Sequence, residues 1–225
     1  MPDLLYAWPT KAKVGSHVSK EKFYEHGTVS TAVREQFVSE VQRITWTYKL
    51  AESTINLPGS SSVPEVQVFE IEVKHDDVPP AVLSVIDRAI PFPIVFEIVQ
   101  ATSAGDDGGR RVRMVAAHKQ LGSGATAMSP YYSTGWQQTD AVRQQLPTAI
   151  TLSALYTGLL SPLMPIAMRP GEDALQVAAR LQAARKLERE ITSLERKLRS
   201  EPQLNGKIEL RRTLMTKQAR LEQQR

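Results

Sequence analysis

The spacing of apolar positions changes from one stretch of the chain to the next, and each change marks a predicted element. Residues 1–19 show no period and hold Pro2, Pro9 and Gly15, which predicts an extended arm. A short helix fits residues 20–26. From Ser30 or Thr31, a candidate N-cap, Val33, Phe37, Val41 and Ile44 recur at three- and four-residue intervals, as on the buried stripe of a helix. Residues 44–50 (ITWTYKL) then alternate and are rich in β-branched and aromatic types, so helix is expected to give way to strand near Trp46. After a Pro/Gly/Ser loop at 57–64, residues 66–74 (VQVFEIEVK) form the clearest strand. Val66, Val68, Glu70, Glu72 and Lys74 share one side of it, and Gln67, Phe69, Ile71 and Val73 the other. Such mixed faces imply a sheet whose second side is partly covered.

Pro79 and Pro80 open a predicted helix with Val82, Val85, Ile86, Ala89 and Ile90 on one face, and Pro91 and Pro93 close it. Residues 94–99 and 111–119 read as a β-hairpin around the glycine-rich turn 105–109, with a short edge strand at 131–136. Leu152, Leu155, Leu159 and Leu160 suit a helix lying on the sheet. Three prolines between 161 and 171 mark a linker. Beyond it, Leu175, Ala178, Leu181, Leu187, Ile191, Leu194 and Leu198 make a helical seam whose last four members follow heptad spacing. Pro202 cannot continue that helix but suits the first turn of another, which predicts a reversal at 199–202. Leu204, Ile208, Met215 and Leu221 are the expected returning strip, giving arms of about 40 Å and about 35 Å.

These elements predict an α+β fold, a mixed or antiparallel sheet covered by helices, followed by a coiled-coil-like antiparallel helical hairpin. The expected order is an arm (1–19), an α+β domain (20–160), a Pro/Gly linker (161–171) and a basic hairpin (172–225). Two compositional facts sharpen this picture. The 225 residues include no cysteine, which excludes disulfides and thiolate metal sites. The net charge of +4 is unevenly placed: residues 180–225 carry 13 Lys or Arg against 6 Asp or Glu, leaving a net −3 for the rest. A basic tail suits an acidic or polyanionic partner, with a merely solvated helix face as the alternative. No signal-like start and no run of about 20 apolar residues occur, so a cytoplasmic protein without a membrane role is expected.

Strongly specific motifs are missing: there is no phosphate-binding glycine-lysine loop, no nucleophile elbow and no paired spacing among His17, His26, His75 and His118. Residues 122–127 (GSGATA) imitate a dinucleotide loop without a following helix. One constellation suggests chemistry. Alternate residues of a strand project about 7 Å apart on one face, so Glu70, Glu72 and Lys74 are candidate catalytic residues, with Glu70 and Glu72 as magnesium ligands. The order of helix, strands, E-x-K strand, helix and strand resembles the PD-(D/E)XK nuclease core. Glu35 or Glu40 would be a further ligand, and Glu52 and Asn56 are the nearest counterparts of that family's additional acidic position. A solvated strand face with ion pairs is the competing reading. Arg110, Arg111, Arg113, His118 and Lys119, near Tyr131, Tyr132 and Trp136, could form a single-strand platform. Together with Arg196, Lys197, Arg211 and Arg212 of the tail, these cations are the candidate nucleic-acid contacts. An amphipathic edge sheet would use the same residues.

Several stretches taken in order, FYEH at 23–26, WTYKL at 46–50, STIN at 53–56, VQVFEI at 66–71, IDRAIPFPI at 86–94, LEREITSLERKL at 187–198 and QLNGKIEL at 203–210, resemble the bacterial family known as domain of unknown function 4391. The resemblance implies a setting more than a reaction: a companion of helicases and DNA methyltransferases in restriction-like or phage-defence clusters. It supplies no catalytic residue. Asp87 with Pro91 and Pro93 has the look of a structural lock, and Gly206 stands where a longer helix-forming residue is expected. The function expected first is therefore a non-catalytic adaptor without a cofactor, its partner a helicase or methyltransferase and its hairpin also able to pair with a second copy. A magnesium-dependent nuclease and a nucleic-acid-binding module are the alternatives.

Overall fold

The computed structural model describes residues 3–25, 29–100, 109–120, 127–164, 169, 172 and 174–224. Along the chain run β1 (Lys13–His17), α1 (Glu21–Glu25), α2 (Thr31–Glu40), β2 (Val41–Ala51), α3 (Glu52–Ile55), β3 (Glu65–Val73), α4 (Pro80–Ala89), β4 (Ile94–Gln100) and β5 (Arg111–Ala116). The short strands β6 (Lys119–Gln120), β7 (Ala127–Met128), β8 (Tyr132–Ser133) and β9 (Gln137–Gln138) follow, then α5 (Leu152–Leu160), α6 (Ala174–Ser200) and α7 (Leu204–Gln224). The chain divides into two compact units, Met1–Pro165 and Ile166–Arg225. No helix among the described residues is long and apolar enough to cross a membrane.

The first unit is α+β. Its sheet has the order β1-β2-β3-β4-β5-β8, with β9 also on β5 and β6 pairing only with β7. Among the described strands of this sheet the β3–β4 pair alone is parallel, as the α4 crossover between them requires. One face carries Ile44, Phe69, Ile71, Phe96, Ile98 and Val115, covered by Phe23 of α1, Phe37 of α2 and Val82, Leu83 and Ile86 of α4. On the opposite face Val66, Val68, Val95 and Met114 are buried. Trp8 hydrogen-bonds Glu97 on this second face and packs against Tyr48, while the Tyr156 hydroxyl of α5 bonds the carbonyl of Ala117 and the amide of Lys119.

The largest departure from the expected elements is at β2. The helix capped by the Ser30 hydroxyl ends at Glu40, and strand begins at Val41 rather than near Trp46. Val41 pairs with Val73 and Ile44 with Ile71, with an irregularity between Val41 and Arg43 that adds one residue to β2. That bulge places two residues three apart on the same buried face, and this is the spacing that mimics a helix. A second bulge follows. Trp46 lies opposite Phe69 and Tyr48 opposite Val68, so Thr47 is extra, its hydroxyl bonded to the Val68 carbonyl at 2.9 Å. The strand rolls over there, sending Ile44 and Trp46 to one core and Tyr48 and Leu50 to the other.

The N-terminal stretch, expected as an arm, is instead built into this unit. Leu4, Leu5, Tyr6 and Trp8 are buried, and β1 pairs antiparallel with β2 as an exposed edge. The edge strand expected at 131–136 is only the two-residue β8, and a second two-residue strand, β9, follows just beyond it on the same β5. Most of the turn at 105–109 and most of the loop at 122–127 lie outside the described residues.

The second unit is the hairpin. α6 and α7 span 27 and 21 residues, about 40 Å and about 32 Å. Ala184, Ile191 and Leu221 are its buried centre, with Leu187 and Leu214 packed against them. Leu181, Leu187, Ile191, Leu194 and Leu198 of the expected α6 strip turn inward, joined by Val177 and Ala184, which were not expected, while the side chains of Leu175 and Ala178 lie outside the described residues. On α7 the inward strip is Lys207, Leu210, Leu214, Lys217 and Leu221. Of the expected returning strip only Leu221 turns inward. Ile208 and Met215 are 56% and 70% exposed, and the Leu204 side chain lies outside the described residues. Gly206 has a local cause: a Cβ there would come within 2.8 Å of the Glu201 side chain, whose carboxylate accepts the Gln203 amide at the reversal.

Candidate functional site

The register of β3 brings its carboxylates to the polar end of the second sheet face. Glu70 lies opposite Thr45 on one neighbour and Glu97 on the other, and Glu72 lies opposite Arg43. Glu72 accepts hydrogen bonds from Arg43 at 3.0 Å and from Arg110 at 3.1 Å. Burial works against its charge, yet the two guanidiniums hold its carboxyl below the usual glutamate range. Glu97 is buried and bound by the Trp8 indole at 2.8 Å and by Arg143 at 2.6 Å. Glu70 is half-buried, and the charges of Glu72 and Glu97 add to its desolvation to push its pKa up, against weaker opposition from Arg110 and Arg43. The patch therefore sets Glu70 and Glu72 apart: the surroundings of Glu70 favour its neutral form, and those of Glu72 its charged form.

Glu97 was not among the residues singled out from sequence. A lone carboxylate within the apolar run 94–99 was the available signal, since a buried polar group is the informative exception. Its meeting with Glu70 depends on the parallel register.

Lys74 does not join the carboxylates. Its ammonium donates to the Val38 carbonyl in the last turn of α2 at 2.7 Å, beside the Lys20 ammonium on the carbonyl of Val41, the residue that follows the helix. Burial, and then Lys74, lowers the Lys20 pKa. The C-terminal end of a helix attracts positive charge, and that attraction captures Lys74. Glu35 and Glu40 belong to α2, which packs on the other sheet face through Phe37. Glu52 and Asn56 border a cleft with Thr10 and Lys11, next to Ala51, which pairs with Glu65 well before Glu70 on β3. Among the described residues no group of three His, Asp or Glu side chains could hold a metal ion.

The cations of the β4–β5 hairpin are largely used within the body. Arg111 bonds Gln100 at 3.1 Å. Arg113 grips both oxygens of Asp77 at 2.7 and 2.6 Å and lies 5.1 Å from the Trp136 ring centroid. Lys119, expected as a nucleic-acid contact, is a correction: its side chain is 2% exposed, and its ammonium binds the Asp87 carboxylate at 3.3 Å. It also bonds the carbonyls of Asp87, Ile90 and Phe92, closing the end of α4. Tyr131 donates to the second oxygen of Asp87 at 2.9 Å. Burial pushes the Asp87 pKa up and the Lys119 pKa down, each opposed by the partner's charge. The lock expected around Asp87, Pro91 and Pro93 thus has Lys119 as its bolt. His118 stacks on Tyr156, and Tyr132 is buried, so these aromatic faces are occupied.

In the hairpin, Arg196 and Lys197 are exposed on α6, and Arg211 and Arg212 on α7. Its open end is clamped. Glu172 accepts two bonds from Arg180 at 2.8 Å each, Arg180 also binds the Gln224 carbonyl at 2.7 Å, and Arg169 binds the Gln223 carbonyl. The Arg180 hydrogen bonds hold the Glu172 carboxyl down at about 2. Lys217 pairs with Glu190 across the seam at 2.6 Å.

The family model of the domain of unknown function DUF4391 matches residues 7–221. The chain belongs to that family. No curated protein and no solved structure matches it. The DUF4391 match runs from the N-terminal segment into the last turns of α7, so the hairpin is part of the family's own pattern and not an appendage to it.

Proposed function

We propose that this DUF4391 chain is a non-catalytic interaction subunit, acting beside a helicase or DNA methyltransferase, with the hairpin as its docking element. The observation that carries this reading is the hairpin's division of faces: one seam closes α6 on α7, while Ile208 and Met215 stay in solvent beside the exposed Arg211 and Arg212. Two apolar side chains one heptad apart on an exposed helix face are what a docked helix would cover. The commitments on β3 support it too, since Glu72 is held by two arginines and Lys74 by α2. The test is co-purification of the full chain with the helicase or methyltransferase encoded beside it. Ile191→Asp with Leu221→Asp should open the seam and abolish capture while tryptophan fluorescence of the body stays native. Capture that survives an opened seam, or no capture by the unaltered chain, would reject the proposal.

A metal-dependent nuclease is the second reading, favoured by Glu70 facing Glu97 across the β3–β4 pair. It requires DNA cleavage with magnesium or manganese that Glu70→Gln abolishes without lowering the Tm. Intact DNA at high protein concentration would retire it.

A further inference from the structure

Resting on the docking role just proposed, we infer that the outer strip of α7, Ile208, Arg211, Arg212 and Met215, is a binding surface for an acidic amphipathic helix of another protein. At 100° per residue this strip lies roughly 130° around the helix from the seam of Leu210, Leu214 and Leu221, so one helix carries two separate faces with heptad spacing. The first is spent on α6. The second holds Ile208 and Met215, 56% and 70% exposed, and between them two exposed arginines that pair with no carboxylate among the described residues.

The spacing selects the partner's backbone. Ile208 and Met215 are seven residues apart, about 10.5 Å along α7. Another helix repeats an apolar position at that interval, whereas a strand repeats its face about every 7 Å and cannot meet both layers in step. Charge selects the partner's composition. A second copy docked antiparallel would set Ile208 on Met215 and bring its own Arg211 and Arg212 onto ours, because these lie at the midpoint. Four guanidiniums would then crowd the two-fold axis, and a parallel copy fares no better. A nucleic-acid backbone would satisfy the arginines but leave both apolar side chains facing phosphate and water. Carboxylates flanking an apolar stripe satisfy both requirements.

The probe is a fluorescently labelled 21-residue peptide with leucine at heptad positions a and d and glutamate at e and g, titrated with the full chain and followed by anisotropy. The same peptide with lysine at e and g is the control. The glutamate peptide should bind at about micromolar Kd and at least about tenfold tighter than the lysine peptide. Met215→Asp should weaken it by about tenfold or more, and Arg211→Glu with Arg212→Glu should reverse the order of the two peptides. Far-UV circular dichroism should be unchanged throughout, because these side chains are outside the seam. Equal affinity for both peptides would overturn the inference. So would undiminished binding by Met215→Asp, a chain dimer that Met215→Asp dissolves, or displacement of the peptide by duplex DNA that Met215→Asp binds equally well. Capture of the neighbouring enzyme that persists in Met215→Asp would condemn this surface alone, whereas tight peptide binding without any capture would condemn the docking role alone.

Discussion

Removing the Lys119 ammonium should be among the most damaging single changes in the body. In Lys119→Met an apolar chain of similar length fills the same space, so the loss is electrostatic. The Asp87 carboxylate, itself buried, keeps only the Tyr131 hydroxyl, and the carbonyls of Asp87, Ile90 and Phe92 lose their shared donor. Stranding one member of a buried ion pair costs about 3–5 kcal/mol. At about 2–4 °C per kcal/mol for a body of this size, the Tm should fall by about 6–20 °C. Urea titration by tryptophan fluorescence isolates the effect, because Trp8, Trp46 and Trp136 all lie in Met1–Pro165. Adding Asp87→Asn should recover a large part of the loss, since the uncompensated charge is then gone. The pH dependence has a fixed sign. Burial raises the Asp87 pKa in the folded state, so its ionised form is the destabilising one. The deficit of Lys119→Met should be full above that raised pKa and shrink as pH falls toward the usual aspartate range. A loss below about 0.5 kcal/mol, as for a surface lysine, or a double variant no more stable than Lys119→Met, would refute the role given to this pair.

Glu72→Gln should cost only about 0.2–1 kcal/mol by urea titration, because its partners Arg43 and Arg110 are more than half exposed. Gly206→Ala should leave the thermal midpoint of the hairpin within about 2 °C in circular dichroism: the gain of about 1 kcal/mol in helix propensity is offset when Glu201 swings off the Gln203 amide, a cap contact of similar size. Glu172→Gln should lower hairpin helicity on heating at pH 7. Since the Glu172 pKa is depressed to about 2, its stabilisation is present above the usual glutamate range and lost as pH falls through that value, so variant and parent should converge near pH 2.

Local pattern was enough to establish that β3, α4, the β4–β5 pair, α5 and the two hairpin helices exist, and where α2 begins, from their periods and the prolines, glycines or capping serine that bound them; it did not give the end of α2 or the inward face of α7. It failed where one residue was inserted. The bulges of β2 break the period of two, and a broken period of two between Val41 and Ile44 cannot be told from a period of 3.6. The residues before β1 were misjudged because Leu4, Leu5 and Trp8 have no regular spacing, and their burial comes from docking on a sheet made by distant segments.

What the sequence determined by itself was the order of the main elements from α2 onward, the reversal at Pro202 and the basic character of the hairpin, all consequences of neighbours close along the chain. Tertiary structure alone decided which charges are free. Lys74 and Lys119 looked like surface cations until a helix end and a buried aspartate claimed them. Glu97 met Glu70 only through a parallel pairing, and Ile208 and Met215 were left outside the seam because α7 turned Leu214 inward. Each outcome depends on a partner many residues away, whose position is fixed by packing and by no local period.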